Sequence, residues 1–168
     1  MARALTSGKT SRLYKRLVYD LQIAQGVFAS QSSMELGSVF EIVATAKPGH
    51  TGDELLKVID EELAALRERG VSQEELARAK VSTRADNIFG IERVGARANL
   101  LNTYFHYTGD ADYFAKDLER SEVATIESVR NAARTYLTET GRVVTIVTPK
   151  KGAPIAGEVT NVSRGGAK

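Results

Sequence analysis

Between residues 11 and 24 apolar side chains recur at Leu13, Leu17, Val18, Leu21 and Ala24, while Arg12, Lys15, Arg16 and Asp20 occupy the other faces. That spacing predicts an amphipathic helix packed on something, with Gly26 placed to end it. Residues 27–33 then read as a strand that continues through Glu35 and Gly37 into residues 38–46, S-V-F-E-I-V-A-T-A, and so predict a hairpin. Pro48 and Gly49 close the second strand. Thr51 with Glu54, and Ser72 with Glu75, have the spacing of capping boxes. The first opens a helix whose stripe is Leu55, Ile59, Leu63 and Leu66 and which Gly70 stops. The second opens a helix through Leu76, Ala79, Lys80 and Thr83 toward Ile88 and Phe89. A further helix is predicted from about Glu92 to Tyr107, followed by the turn Gly109-Asp110 and a short segment bearing Tyr113, Phe114 and Leu118. Thr125 is a good N-cap for a helix over residues 126–137. Residues 142–148, R-V-V-T-I-V-T, predict a last strand.

A hairpin, a run of helices and a returning strand suit an α+β two-layer sandwich, a mostly antiparallel sheet with helices packed on one face. About three strands is the lower limit for an independently stable sheet. The opening residues M-A-R-A-L-T-S-G read as the end of a helix with no strand before it. The expectation is therefore a domain over residues 1–149 cut at its N-terminal edge, its first strand lying upstream. Residues 150–168, rich in Gly, Ala and Lys, read as a flexible tail or interdomain linker. An edge left uncovered by such a cut recruits partners, which predicts self-association of the chain as a homo-oligomer.

Composition narrows the function. With 168 residues, 42% hydrophobic and 26% charged, the chain fits one globular domain with a short tail. A net charge of +2 from 23 basic and 21 acidic residues, mixed along the chain, provides no basic stripe for phosphates, so nucleic acid is excluded as a partner. No apolar run reaches the roughly 18–20 residues of a membrane span, and the N-terminus has no signal-peptide core. The sequence has no cysteine, hence no disulfide framework or thiolate metal site. Compartment stays open between bacterial cytoplasm and periplasm.

The stretch from Gly8 to Val27, G-K-T-S-R-L-Y-K-R-L-V-Y-D-L-Q-I-A-Q-G-V, resembles the insulinase/pitrilysin (inverzincin) family of zinc metallopeptidases. The C-terminal domains of that family carry G-G-x-x-S-R-L-x-x-x-L-R-E-x-x-x-L-A-Y at this place. The resemblance continues through A-T-A-K-P-G-H after the second strand and E-L-x-x-V-I-D-E-E-L at Glu54 to Leu63. It then runs through V-S-Q-E-E-L-A-R-A-K at Val71 to Lys80, G-D-A-D-Y at Gly109 to Tyr113 and T-I-E-S-V at Thr125 to Val129. Order and spacing carry it across about Gly8 to Pro149, and it is most similar to bacterial processing-peptidase-like members. There a zinc-bearing N-terminal domain precedes a similar domain without metal. The resemblance implies the non-metal C-terminal domain of a zinc endopeptidase that hydrolyses peptides in a closed chamber, this domain forming chamber wall and interface and being inactive alone. Zinc would sit in the N-terminal domain of the same parent, with no cofactor in this chain. The rival reading is an inactive scaffold or interaction subunit of the same fold, as in relatives within respiratory complexes.

In relatives an Arg and, seven residues on, a Tyr help hold the substrate and stabilise the tetrahedral intermediate. Aligned on Ser11, Arg12, Leu13 and Leu17, those positions are Val18 and Gln25. Val18 offers no donor to an oxyanion, and Gln25 offers one neutral amide. An active parent would then take its Arg/Tyr pair from a related second half or partner subunit. If the helix persists almost to Gly26, positions 18 and 25 are close to two turns apart and share a cleft-facing side. The family's H-x-x-E-H zinc motif has no counterpart here: His50 lies in a turn and His106 in the aromatic run Tyr104-Phe105-His106-Tyr107, neither with a second ligand at spacing. Gly8-Lys9-Thr10 imitates a phosphate loop, but Arg3 stands where its first glycine belongs. Tyr104, Phe105, Tyr107, Tyr113 and Phe114 lack an interleaved basic face and are expected to pack in the core rather than stack bases.

Overall fold

The computed structural model describes residues 1–149; the predicted tail at 150–168 lies outside the described residues. In chain order it comprises α1 (Ala2–Thr6), a π-helix (Tyr14–Asp20), β1 (Ala24–Ser33), β2 (Ser38–Ala46), α2 (Gly52–Arg69), α3 (Gln73–Gly90), α4 (Val94–Thr108), α5 (Phe114–Glu122) and α6 (Ile126–Tyr136). β1 and β2 pair antiparallel from Ala24↔Ala46 to Ser33↔Ser38. Because side chains alternate across a strand, this register places Val27, Ala29, Phe40, Ile42 and Ala44 on one face and Phe28, Val39 and Val43 on the other. The first set joins the core under the helices; the second is exposed. The α+β two-layer arrangement is thus present, with helices on one side of the sheet.

Leucines fill the centre. Leu5 of α1, Leu13 and Leu17 at the π-helix and Leu66 of α2 are the largest fully buried side chains, joined by Leu55, Val58, Leu63, Ala133 and Leu137. Both predicted capping boxes form: Thr51 Oγ1 accepts from Glu54 N–H at 3.3 Å, and Ser72 Oγ from Glu75 N–H at 3.1 Å. Thr125 caps α6 in the same way through Ser128. Gly70 ends α2 at φ 73°, and a Cβ there would lie 3.2 Å from carbons of Arg130 and Ile126 on α6. Glycine is required for both the backbone and the approach of the two helices. At the outer edge of β1, the N–H of Ala29 donates to Thr6 Oγ1 at 2.9 Å, so a side chain of α1 stands in for a neighbouring strand.

Three sequence expectations fail here. Residues 142–148 form no strand: Val143 is 93% and Val147 86% exposed, and among the described residues the pairing is confined to β1 and β2. β-propensity expresses a fit to a half-buried pleated surface, and this segment runs beside α2 instead, where Ile146 fills the space by Gly52 and Arg142 donates to Asp60. The predicted helix over 11–24 stops at Asp20, and Ala24 is the first residue of β1. The cause is local: Gln22 has φ 54°, a left-handed conformation that ends the helix four residues before Gly26. Leu21, counted in the helical stripe, is consequently exposed. Finally, none of the five aromatics from Tyr104 to Phe114 is buried, and Phe105 and Tyr107 are open to solvent. Helix α4 is tied instead to α5, by Tyr104 Oη donating to Asp117 at 3.1 Å and an edge-on contact of Tyr104 with Tyr113.

An L-residue in the left-handed region costs about 1–2 kcal/mol, part of which glycine returns in chain entropy. Gln22→Gly is therefore expected to raise stability by up to about 1 kcal/mol, read as a higher urea midpoint at unchanged slope.

Candidate functional site

The segment from Gly8 to Gly26 is the least regular part of the fold, and its irregularities follow one another. Gly8, at φ 83°, turns the chain so that its carbonyl accepts from the buried Ser11 hydroxyl at 2.7 Å. The π-helix follows, closed by the N–H of Leu21 on the carbonyl of Arg16 five residues back at 2.9 Å. Such wide turns are rare and concentrate at functional sites. Left-handed Gln22 comes next, and then a bulge: Ala24 pairs with Ala46 and Gly26 with Thr45, leaving Gln25 as the extra residue in β1. The Gln25 amide donates to Ala46 O at 3.1 Å.

Val18 and Gln25 are thereby placed on different elements. Val18 lies in the π-helix, half-buried against the core; Gln25 is exposed at the bulge. The uninterrupted helix that would have put both on one side is absent from residues 21–25. Between them they present one amide donor, and that donor is engaged with Ala46.

Arg12 and Arg16, on the turn leading into this segment and in its first half, grip the helices behind. Arg12 forks onto Glu75, with Nε donating to Oε1 at 2.7 Å and an Nη to Oε2 at 2.6 Å; the same Nη reaches Gly70 O at 2.9 Å. The pair is largely withdrawn from water, its side chains 19% and 13% exposed. Glu75 is also the third residue of the α3 capping box, accepting from Ser72 N–H at 2.7 Å. One guanidinium thus holds the C-cap carbonyl of α2 and the capping carboxylate of α3, which a lysine could not do with a single charge point. Arg16 donates to Glu61 and to Glu62 of α2, the latter at 3.0 Å. Arg12, Lys15, Arg16, Asp20, Glu62 and Arg69 border an open groove of about 470 Å³.

Hydrogen bonding by Glu75 holds the Arg12 guanidinium above its usual range. For Glu75, burial pushes the carboxyl upward, but the bonds from Arg12 and Ser72 N–H outweigh it and the result lies below the ordinary 4.5. A depressed carboxyl contributes stability that is present above its unfolded pKa and lost as pH falls through the folded one. The urea midpoint is therefore expected to fall below about pH 4.5, and Glu75→Gln to be less stable at pH 7 with a shallower acid loss. Unfolding curves at pH 7 and pH 3 check both.

The groove contains neither a nucleophile paired with a base nor a metal-binding set. Among the described residues no group of three or more His, Cys, Asp or Glu side chains is close enough to hold a metal ion. His50 Nδ1 meets only Glu54, at 3.2 Å, and His106 stacks edge-on with Tyr107. The residues present do not fit zinc. The fork between Arg12 and Glu75 is the feature sequence reasoning missed. Both partners were visible, one in S-R-L and one in a capping box, but 63 residues separate them.

Comparison with known proteins agrees with this inventory. Residues 1–82 match the family model described as the peptidase M16 inactive domain. An uncharacterized zinc protease of Streptomyces coelicolor is 27% identical over 134 residues, which cover 80% of this chain and 29% of that protein. Zinc protease PqqE of Helicobacter pylori is 30% identical over 104 residues, 62% of this chain and 23% of that one. The chain thus spans less than a third of the curated relatives it matches. Among solved structures, the inactive peptidase domain of a protein from Bordetella parapertussis classed as a zinc protease superposes with TM-score 0.78 at 26% identity, covering 89% of this chain and 80% of that one. A peptidase M16 inactive domain from Pseudomonas fluorescens, 19% identical, shares the fold with TM-score 0.69 over 80% of this chain and 32% of that one.

Proposed function

We propose that this chain, whose residues 1–82 match the model of the peptidase M16 inactive domain, is the non-metal domain of a longer zinc-dependent endopeptidase, supplying chamber wall and interface. Residues 1–149 would form that domain. The observation that carries the reading is the pairing of a retained scaffold with missing chemistry. The Gly8–Ser11 turn and the Arg12 fork are built as fully hydrogen-bonded devices, whereas Val18 and Gln25, the positions that the resemblance aligns with the relatives' Arg and Tyr, carry no such pair. Removing donors of that kind from a developing oxyanion costs several kcal/mol in rate, so the parent must take them from a related second half or partner subunit. The exposed sheet face of Phe28, Val39 and Val43 suits a wall against which an extended peptide lies.

Zinc belongs in this reading to the N-terminal domain of the parent, which would bind it through H-x-x-E-H; the present chain has no part in holding it. Two experiments test this. Calorimetric titration is expected to find one zinc per parent and none in the chain alone, and a sub-micromolar stoichiometric site in the chain would sink the assignment. In the parent, Val18→Ala is expected to leave peptide hydrolysis within about twofold, since an apolar side chain stabilises no oxyanion. A large loss of turnover at unchanged stability would place this domain in the chemistry. A parent without zinc and without hydrolysis would favour the scaffold reading.

A further inference from the structure

From Ala77 to Ala132 no residue is buried, although the stretch holds most of α3 and all of α4 and α5. Helix α4 runs for 15 residues without one buried side chain, a length that is marginal for an isolated helix in water. Its exposed Val94, Leu101 and Phe105 are 7 and 11 residues apart from the first, so they form a single stripe. On α3, exposed Val81, Ile88 and Phe89 line an open groove of about 460 Å³. Scattered exposed apolar residues need no explanation, but rows of them on regular helices mark an interaction surface.

Charge indicates what covers it. From Arg93 to Thr108 there are two arginines and no carboxylate. Beside the α3 groove stand Lys80 and Arg84. Of the acids nearby, Asp86 is bonded to Arg3 at 2.7 Å, Glu92 stands next to Arg93, and Asp117 lies 3.4 Å from Arg120. Glu122 lies 3.9 Å from Arg84 while its backbone carbonyl accepts from Lys80, so the cations outnumber the acids. The rim is therefore cationic, and a second copy meeting it about a two-fold axis would bring like charges together. We infer that the α3–α4 face is where the remaining polypeptide of the same parent docks, through an apolar surface rimmed by carboxylates. The inference rests on the proposed function for its partner, which in that reading is the zinc-bearing half.

Amide hydrogen exchange on the chain and on the whole parent tests it. Amides of residues 94–108 are expected to exchange at least about 100-fold more slowly in the parent. The double variant Leu101→Glu/Phe105→Glu should return them to the rate seen in the chain alone, while the circular dichroism of the chain carrying the same changes stays as it was. Equal exchange in chain and parent overturns the inference. So does protection of α4 that grows with the concentration of the chain alone and follows a dimer in sedimentation, which would make the occupant a second copy. Zinc content and peptide hydrolysis of the same parent preparation separate the two claims: a zinc-free, inactive parent with α4 protected defeats the proposed function and leaves the docking face standing.

Discussion

Replacing Arg12 by alanine is expected to cost about 2–4 kcal/mol of folding stability, the largest effect of any polar substitution in the fold. The change leaves the Glu75 carboxylate largely withdrawn from water with its charge unmatched, and it frees the Gly70 carbonyl as well. Because the pair keeps some contact with water, the figure sits below that of a fully buried pair whose partner is removed. Arg12→Lys should recover only part of the loss, since an ammonium cannot bond both carboxylate oxygens and the carbonyl in the same plane. Urea unfolding at pH 7 reads the difference directly. A cost under 1 kcal/mol would mean that the junction of α2 and α3 is held by their own caps, with Arg12 contributing little.

Leu17→Ala is expected to cost about 3 kcal/mol, within the range for a fully buried leucine. Leu21→Ala, four residues on and half-exposed, should cost less than about 0.5 kcal/mol. An ordinary helix through residues 11–24 would have buried both, so the contrast reports where the helix ends. Comparable losses at the two positions would contradict the π-helix and the turn at Gln22.

The elements whose signals are local were legible in the sequence. Thr51, Ser72 and Thr125 cap helices as their spacing says, and the hairpin pairs Ser33 with Ser38 where Glu35 and Gly37 predicted the turn. What failed depended on neighbours the sequence does not announce. Residues 142–148 have strand composition and, among the described residues, no strand pairs with them. The aromatics of α4 have helical spacing, yet among the described residues only Tyr104 is drawn against α5, and Phe105 and Tyr107 stay exposed. The end of the first long helix was misplaced because Gly26 is the conspicuous breaker, whereas Gln22, a residue not favoured at positive φ, makes the turn. At the candidate site, the resemblance alone proposes Val18 and Gln25 as the positions where relatives carry Arg and Tyr. Their separation onto a π-helix and a bulge could not be read, because both irregularities add backbone without any residue type that signals them.

The central claim is that this chain supplies structure, and the rest of the parent supplies the metal and the oxyanion donors. Turnover of a fluorogenic peptide tests it most directly, measured with the chain alone, with the intact parent, and with the parent carrying Val18→Ala and Gln25→Ala together. The account predicts no hydrolysis by the chain at any zinc concentration, zinc-dependent hydrolysis by the parent, and a kcat for the double variant within about threefold of the parent's. Hydrolysis by the chain alone, or a kcat reduced a hundredfold in a double variant that still folds and binds zinc, would contradict it.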